Sequence, residues 1–342
     1  MSPKNLNVSS KTHKFLLNKL KDKQIYKIYN KFEKNLNLNE DFIVAVSGGS
    51  DSLALSFLTK IYSIKKSLNA KYFIVDHRLR KNSSIEVRLV ESLFKKLSTK
   101  LGVLNWNGKK PNSNIQSIAR NKRYKLLMGQ AKKLKIKNIL LGHHKDDLIE
   151  NFFIRILRGS GLNGMVSFDQ KSSYKNINLI RPLLKFSKKD LEYISKKVFK
   201  IYVEDPSNKN DKFKRIKVRN LIRTLKSEGL DEDKFDLTIN NLKFANESIN
   251  FFVEKNLNDN SIKINKNKSI ILSIKLFYQP EEIVFRSFTK IIKFVGKKFY
   301  PVRGKKIDKI IDQIKENTFF KTTLGNCVIN KVNNTIIVSK EH

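Results

Sequence analysis

The segment Phe42–Leu55, FIVAVSGGSDSLAL, constrains this chain more than any other stretch. Its first five residues, Phe42 to Val46, are apolar and rich in β-branched types, which predicts a short buried strand. Ser47-Gly48-Gly49-Ser50 then turns the chain. From Asp51 onward, Leu53, Leu55, Phe57 and Leu58 predict a helix. Strand, glycine turn and helix start together make a phosphate cradle. The first N–H groups of a helix have no intrahelical partner, and the helix dipole favours an anion there. Gly48 and Gly49 let the backbone come close and take positive φ. Ser47, Ser50 and Ser52 add hydroxyl donors. The competing explanation is an ordinary capping turn, since serine and aspartate are favoured caps.

The turn lacks the Gly-Lys-Ser/Thr ending of a Walker A loop. Its Ser-Gly-Gly-x-Asp-Ser pattern resembles the pyrophosphate loop, or PP-loop, of the N-type ATP pyrophosphatases. That resemblance implies cleavage of ATP between the α and β phosphates and transfer of AMP to a substrate oxygen.

The chain of 342 residues is long enough for two domains, and 40% of its residues are hydrophobic, enough for a real core. No apolar run reaches the length of a membrane span, so no membrane partner is expected. Met1 to Lys23 is polar and lysine-rich, without the apolar stretch of a signal peptide. Cys327 is the single cysteine, which excludes an internal disulfide and a four-cysteine zinc site and suits a cytoplasmic location. The net charge is +39, from 70 Lys and Arg against 31 Asp and Glu. Such an excess attracts a polyanion, and nucleic acid is the expected one. Biased composition explains many lysines in a chain also rich in Asn and Ile, but not the scarcity of acids.

Between Phe42 and about residue 204, apolar strands alternate with helical patterns. Strands are expected at Phe42–Val46, Tyr72–Val75, Val103–Trp106, Asn138–Leu141 and Ile177–Ile180. Helices are expected near Ser52–Ser63, Ser84–Leu97, Ser113–Leu134, Lys145–Leu157 and Lys188–Val198. This alternation predicts an α/β fold, a doubly wound parallel sheet with helices on both faces. Ligands bind beyond the carboxyl ends of such strands, which is where Ser47, Asp76, His77, His143 and His144 fall. Residues 1–40 read as a helical lead-in to an N-terminal catalytic domain, 1–228. A smaller C-terminal α+β domain, 229–342, follows a boundary near Gly229–Asp233. Its helices are expected near Leu237–Asn256, Pro280–Phe294 and Lys306–Glu316, and its strands at Phe319–Leu324 and Asn334–Val338.

Four further clusters carry chemistry. Val75-Asp76-His77-Arg78-Leu79-Arg80 forms a charged loop after the second strand, although Asp76 could simply cap a turn. Arg120 and Arg123 lie three apart on one helix face and could clamp phosphates, or form a solvated basic face. In Gly142-His-His-Lys-Asp-Asp-Leu-Ile-Glu-Asn151, His143 and Asp147 are four apart and expected to share a face, and Asp146 is expected to pair with Glu150. Two imidazoles and three carboxylates so close call for a cation or a phosphate. Asp147 could hold Mg²⁺, and a transition metal lacks a third soft ligand. Arg158-Gly-Ser-Gly161 follows as a basic glycine loop. Finally, Glu204-Asp-Pro-Ser-Asn208 precedes a basic run through Arg215, Lys217, Arg219, Arg223 and Lys226. Phe213, Ile216, Val218, Leu221 and Ile222 alternate with that run, so it reads as a helix with one buried face and one face suited to RNA phosphates.

In combination, Ser47–Ser52, Asp76–Arg80, Ala119–Tyr124, Gly142–Asp147, Arg158–Gly161 and Glu204–Asn208 resemble the motifs of the tRNA(Ile)-lysidine synthases. The likeness spans about residues 25 to 225, and Thr323-Leu-Gly325 resembles part of that family's C-terminal recognition domain. Leu148 and Asn151 depart from the Gln and Thr usual in the fourth motif. The resemblance implies an adenine nucleotide alpha hydrolase-like fold and ligation of free L-lysine to C2 of the wobble cytidine in the CAU anticodon of tRNA(Ile). ATP supplies an adenylated cytidine intermediate, and Mg²⁺ accompanies it. A homodimer stays open. The implied nucleotide-binding set is Ser47 to Ser52 with Val75, His77 and Gly142, and the implied metal ligands are Asp51 and Asp147. Arg120 and Arg123 would meet substrate phosphate or the lysine carboxylate, and His143 the reacting phosphoryl group. Arg158, Arg215, Lys217, Arg219 and Arg223 would bind tRNA. A tRNA thiolase on the same fold would need cysteines this chain lacks. A non-catalytic RNA-binding protein would not need the His143–Asp147 cluster.

Overall fold

The structure is a computed structural model. It describes residues 10–79, 82–108, 111, 113, 115–174, 176–203, 214–264, 269–297, 302 and 304–341, with the side chains of 10–13, 116, 214, 215 and 263 left out. The chain divides into two compact units, Met1–Gly229 and Leu230–His342.

The first unit opens with helices α1 (Ser10–Leu20) and α2 (Lys23–Asn35). Asp22 caps α2 by accepting from the Gln24 and Ile25 N–H groups at 3.0 and 3.1 Å. Alternating strands and helices follow: β1 (Phe42–Val46), α3 (Ser50–Lys65), β2 (Ala70–Asp76), α4 (Ser83–Lys95), β3 (Leu101–Asn105) and α5 (Ile115–Lys133). Then come β4 (Asn138–Leu140), α6 (Lys145–Ile156), the single turn α7 (Leu162–Met165), β5 (Lys171–Tyr174), β6 (Ile177–Ile180), α8 (Lys188–Phe199) and α9 (Lys214–Ser227).

The sheet order is β3-β2-β1-β4-β6-β5, parallel except for β5, which runs antiparallel to β6 at the edge. That edge strand is an addition to the expected parallel sheet. Its sequence, KSSY, has no apolar face to announce it. Strand β1 is central, with the chain winding outward to β2 and β3 on one side and returning to β4 on the other. The gap beyond β1 and β4 is therefore the topological switch point, where such sheets bind ligands.

The two-residue period of β1 divides its side chains between two cores. Phe42, Val44 and Val46 join the cluster built with α2, α3, α4 and α8. Ile43 and Ala45 face Leu127 and Ala131 of α5 on the other side. Burying each of Phe42, Ile43, Val44 and Val46 contributes roughly 1.5–3 kcal/mol.

The second unit has its own core. Helix α10 (Glu232–Asn260) leads into β7 (Ser261–Ile264) and β8 (Ser269–Ser273). A 3₁₀ turn (Ile274–Tyr278), α11 (Glu281–Val295), α12 (Gly304–Lys315), β9 (Lys321–Leu324), β10 (Cys327–Val332) and β11 (Thr335–Lys340) complete it. The strands form an antiparallel sheet ordered β7-β8-β11-β10-β9. Ile307, Ile310, Ile311 and Ile314 of α12 join Val284, Phe288 and Ile292 of α11 in its core. Three of these five strands, β7, β8 and β10, were not expected from the sequence. Each has a short apolar run interrupted by Lys, Ser or Asn, too brief for periodicity to identify.

Candidate active site

The turn after β1 is built to hold a positive-φ glycine. Gly48 has φ +85°, and a Cβ there would lie 2.6 Å from Val90 Cγ2 and 3.1 Å from Val203 Cγ2. The Val203 N–H donates to the Gly48 carbonyl at 3.0 Å, which pins the turn from behind. Ser52 Oγ donates to the Gly49 carbonyl at 3.0 Å and accepts from the Ser47 N–H at 3.1 Å. The Ser52 hydroxyl is thus an internal strut. Ser50 is buried as well, and Ser47 is the exposed hydroxyl of the three. Of the loop's serines, Ser47 faces solvent, Ser52 braces the turn, and the Ser50 hydroxyl lies on Asp51 Oδ1 at 3.3 Å.

Across the switch point, the end of β4 presses against the start of α3. A Cβ on Gly142 would sit 3.2 Å from the Ser52 nitrogen and 3.3 Å from the Asp51 carbonyl carbon, so glycine is what permits this approach. The chain after β6 runs beside the chain after β4. Leu141 N–H donates to the Ile180 carbonyl at 2.8 Å, His144 bridges Leu183, and Lys145 N–H donates to the Phe186 carbonyl at 3.1 Å. This third strand-end brings Lys188 into the site. Its Nζ lies 2.7 and 2.9 Å from the two Asp51 carboxylate oxygens and 2.9 Å from Ser50 Oγ.

Helix α6 begins at Lys145, with His144 as its N-cap. The expected shared helix face of His143 and Asp147 is therefore corrected: His143 precedes the helix. His144 Nδ1 accepts from the Asp146 N–H at 3.3 Å, and Asp147 Oδ2 accepts from the His144 N–H at 3.0 Å. In the neutral ring this assigns the proton to Nε2. That atom lies 3.7 Å from Asp51 Oδ2 and 3.6 Å from Asp147 Oδ2. One buried imidazole thus stands between the two carboxylates. Asp146 and Glu150 stand four apart on α6 and meet different cations. Asp146 lies 3.7 Å from Lys226, and the buried Glu150 accepts from Arg219 Nε.

Two carboxylates at one imidazole edge suit a hard cation. Among the described residues no group of three His, Cys, Asp or Glu forms a metal cage. Mg²⁺ needs no such cage, because phosphate oxygens and water complete its shell around one or two carboxylates. The donor set fits Mg²⁺ and offers no soft ligand for a transition metal.

His143 turns to a different neighbourhood. Its ring meets Phe168 edge-on at 5.2 Å, and Arg181 lies over the same Phe168 ring at 4.8 Å. Arg120 and Arg123 both lie over Tyr124, at 5.3 and 5.8 Å. Burial, reinforced by the charges of Arg120, Arg181 and Arg123 and opposed by Asp147, pushes the His143 pKa down to about 3. His143 is therefore a neutral imidazole with an enclosed, unpartnered Nδ1. His77 is lowered too, first by burial and then by Arg123, and its ring meets Trp106 at 6.1 Å. Burial raises Asp76, but hydrogen bonds from the Arg78 N–H and the Ser83 and Ser84 hydroxyls outweigh it and hold that carboxyl below its ordinary range. Asp76 thus fixes its own loop, and Arg78 takes a left-handed φ of +50° there.

The PP-loop domain family matches residues 18–225. The tRNA(Ile)-lysidine synthase of Wolbachia pipientis wMel is 34% identical over 307 residues, covering 89% of this chain and 71% of the relative. That of Rickettsia felis is 32% identical over 334 residues, covering 92% and 74%. The chain belongs to the tRNA(Ile)-lysidine synthases. Among solved structures, the U34-tRNA thiolase of Methanococcus maripaludis, a chain with a [4Fe-4S] cluster, overlays with a TM-score of 0.55 at 16% identity. It covers 66% of this chain and 79% of the thiolase, and the likeness is one of fold. In the synthase chain, the single Cys327 is buried in the second unit's core, its Sγ 3.4 Å from the Ile292 carbonyl oxygen.

The residues expected to bind tRNA are placed unevenly. Arg158, Lys217 and Arg223 are exposed. Arg219 is tied to Glu150, and despite the opposing effect of burial this pairing raises its pKa. The Arg215 side chain, Arg80 and the whole Glu204–Asn208 motif lie outside the described residues. On α9, Ile216, Val218 and Ile222 form the expected buried face, but Leu221 is 41% exposed. Sequence reasoning missed Lys188 and the role of His144. His144 carried a signal, since a cap residue one place before an acidic first turn is the usual arrangement. Lys188 carried none among so many lysines. No described helix is long and apolar enough to cross a membrane.

Proposed function

We propose that this chain ligates free L-lysine to C2 of the wobble cytidine of tRNA(Ile) with a CAU anticodon, at the cost of ATP. The observation that carries this reading is the convergence of the Ser47–Ser52 loop with His144 and Asp147 at the switch point, in a chain 31–34% identical over about nine-tenths of its length to lysidine synthases. The cytidine O2 attacks the α phosphate of ATP, and pyrophosphate leaves. The lysine ε-amine then attacks C2, the C2–O bond to AMP breaks, and the amine gives up a proton.

In this reading the Gly48 and Gly49 backbone, the N-terminus of α3 and the exposed Ser47 hydroxyl receive the ATP phosphates, with Val75, His77 and Gly142 along the nucleotide. Asp51 and Asp147 would hold Mg²⁺, which would neutralise charge on the phosphates. Lys188, which stands on Asp51 and Ser50 beside the loop, is placed to meet a phosphate. His144 spaces the two carboxylates. Neutral His143 serves the reacting phosphoryl group as a hydrogen-bond donor and not as a cation. Arg120 and Arg123 bind substrate phosphate or the lysine carboxylate. The work is positioning and charge neutralisation. Arg158, Arg215, Lys217 and Arg223 follow the tRNA backbone, with Arg219 contributing through the donors that Glu150 leaves over.

The test is incorporation of labelled lysine into tRNA with Mg²⁺-ATP, with AMP and pyrophosphate measured together. Pyrophosphate is expected only with the cognate tRNA present, and unlabelled lysine alone among amino acids should compete. Equal competition by arginine or ornithine, or labelling of tRNA with any wobble base, would defeat the reading.

A further inference from the structure

Helix α2 precedes every motif that carries the chemistry, yet it lines a cleft. A cavity of about 660 Å³ is walled by Tyr26, Lys27, Asn30, Lys31 and Lys34 of α2 and by Lys185 from the turn before α8, with Asn35 at its end. The geometry points to a binding site for an RNA strand, taking backbone phosphates on the lysines and a base against Tyr26. The RNA is the tRNA of the proposed reaction. This inference rests on that reading for the identity of the RNA alone.

A solvated basic face is the ordinary state of lysines in a chain of charge +39. Four features separate this cleft from such a face. The first is concavity. Lysines from segments 154 residues apart converge, with Lys31 Nζ donating to the Lys185 carbonyl at 2.8 Å and standing over the Phe186 ring at 5.0 Å. Exposed ammonium groups gathered on one open cleft raise the local positive potential that an incoming polyanion meets. The second is the absence of acid. No carboxylate lines the cleft among the described residues, although α2 carries Glu33, which turns away to pair with Lys65 at 2.7 Å.

The third is Tyr26, which is 53% exposed beside these cations. Its neighbours on the buried face, Ile25, Ile28, Tyr29 and Phe32, meet the core, so Tyr26 is not needed there. Interleaved aromatic and basic side chains are how RNA strands are held, by stacking and by phosphate contact. The fourth is position. Lys185 is three residues from Lys188, the cation on Asp51, so their Cα atoms are at most about 11 Å apart. RNA in the cleft lies along the turn that forms one wall of the nucleotide site.

The experiment measures tRNA binding by fluorescence anisotropy between 50 and 200 mM salt (about the range where phosphate contacts dominate). The variants are Lys27→Ala/Lys34→Ala/Lys185→Ala, Tyr26→Ala and, as a charge control, Lys132→Ala/Lys133→Ala/Lys135→Ala. The control lysines are exposed at the end of α5, which leads to the amino edge of the sheet. The cleft triple variant should bind tRNA roughly tenfold or more weaker, with a log–log salt slope reduced by about two to three. Tyr26→Ala should weaken it about fivefold or more, and Tyr26→Phe should restore it. The control triple should change affinity less than the cleft triple, and ATP affinity should be unchanged throughout. Wild-type binding by the cleft triple and by Tyr26→Ala, or an equal loss in the control, would overturn the inference. These readouts are binding constants, so tRNA binding without lysidine formation would defeat the proposed function and leave the cleft to its own data.

Discussion

Asp51 already has a cation on it. Lys188 holds both its oxygens, and His144 Nε2 lies 3.7 Å from Asp51 Oδ2 and 3.6 Å from Asp147 Oδ2. In the proposed function, removing either carboxylate would leave Mg²⁺ with one protein ligand. Asp51→Ala and Asp147→Ala are each expected to lower tRNA- and lysine-dependent pyrophosphate release by about a hundredfold or more. Asp51→Ala should keep an unfolding midpoint close to the parent's, and Asp147→Ala, which also removes the acceptor of the His144 N–H, should lose only about 1 kcal/mol. Near-normal release from either variant would defeat the metal assignment. His143 gives a second expectation, in pH. Its folded pKa of about 3 lies below the ordinary 6.5, so between these values the unfolded chain binds a proton that the native chain refuses. Its contribution to stability is whole above pH 6.5 and is lost as pH falls toward 3, at up to about 1.4 kcal/mol per pH unit. Urea unfolding at stepped pH should show a shallower acid limb for His143→Gln. An unchanged slope would show that the ring is not excluded from water.

At the scale of elements, α9 serves two ends. One face packs through Ile216, Val218 and Ile222, and Arg219 from the same helix satisfies the buried Glu150 of α6. Arg223 is exposed on the same helix. Arg219→Ala should therefore destabilise the first unit, by roughly 1–3 kcal/mol, because it takes a charged hydrogen-bond partner from the buried Glu150 carboxylate. Arg223→Ala should leave stability within about 0.5 kcal/mol and weaken tRNA binding with a smaller salt slope. Denaturant melts and binding isotherms on the same two variants separate the roles, and a reversed pattern would refute them. Helix starts also show how far local reading goes. Strand β1 ends at Val46 as expected, because its apolar run ends there. The start of α6 was less legible, since two adjacent histidines offer the same chemistry. Only the cap geometry shows that His144 faces Asp51 while His143 faces Phe168.

At the scale of the whole chain, two units each close a core of their own. The nucleotide loop and its partners belong to the first. We expect the second to carry tRNA recognition. Deleting Leu230–His342 should leave ATP affinity within about twofold and weaken tRNA binding roughly tenfold or more at moderate salt. Parallel loss of both would mean that the second unit supports the nucleotide site itself.

The sequence by itself determined the strand–turn–helix cradle, the α/β alternation, the clusters at the strand ends and the family. Each of these rests on residues close together in the chain, where periodicity and turn chemistry act. Tertiary structure alone decided the partners. Lys188 reaches Asp51 across 137 residues because the chain after β6 runs beside the chain after β4, and nothing in a lysine's local sequence encodes that. Arg219 meets Glu150 across 69 residues for the same kind of reason, a helix laid over a helix. Which serine of the loop faces solvent, and which histidine faces the carboxylates, followed from where each helix begins. That phase is set by packing and cap hydrogen bonds, not by composition.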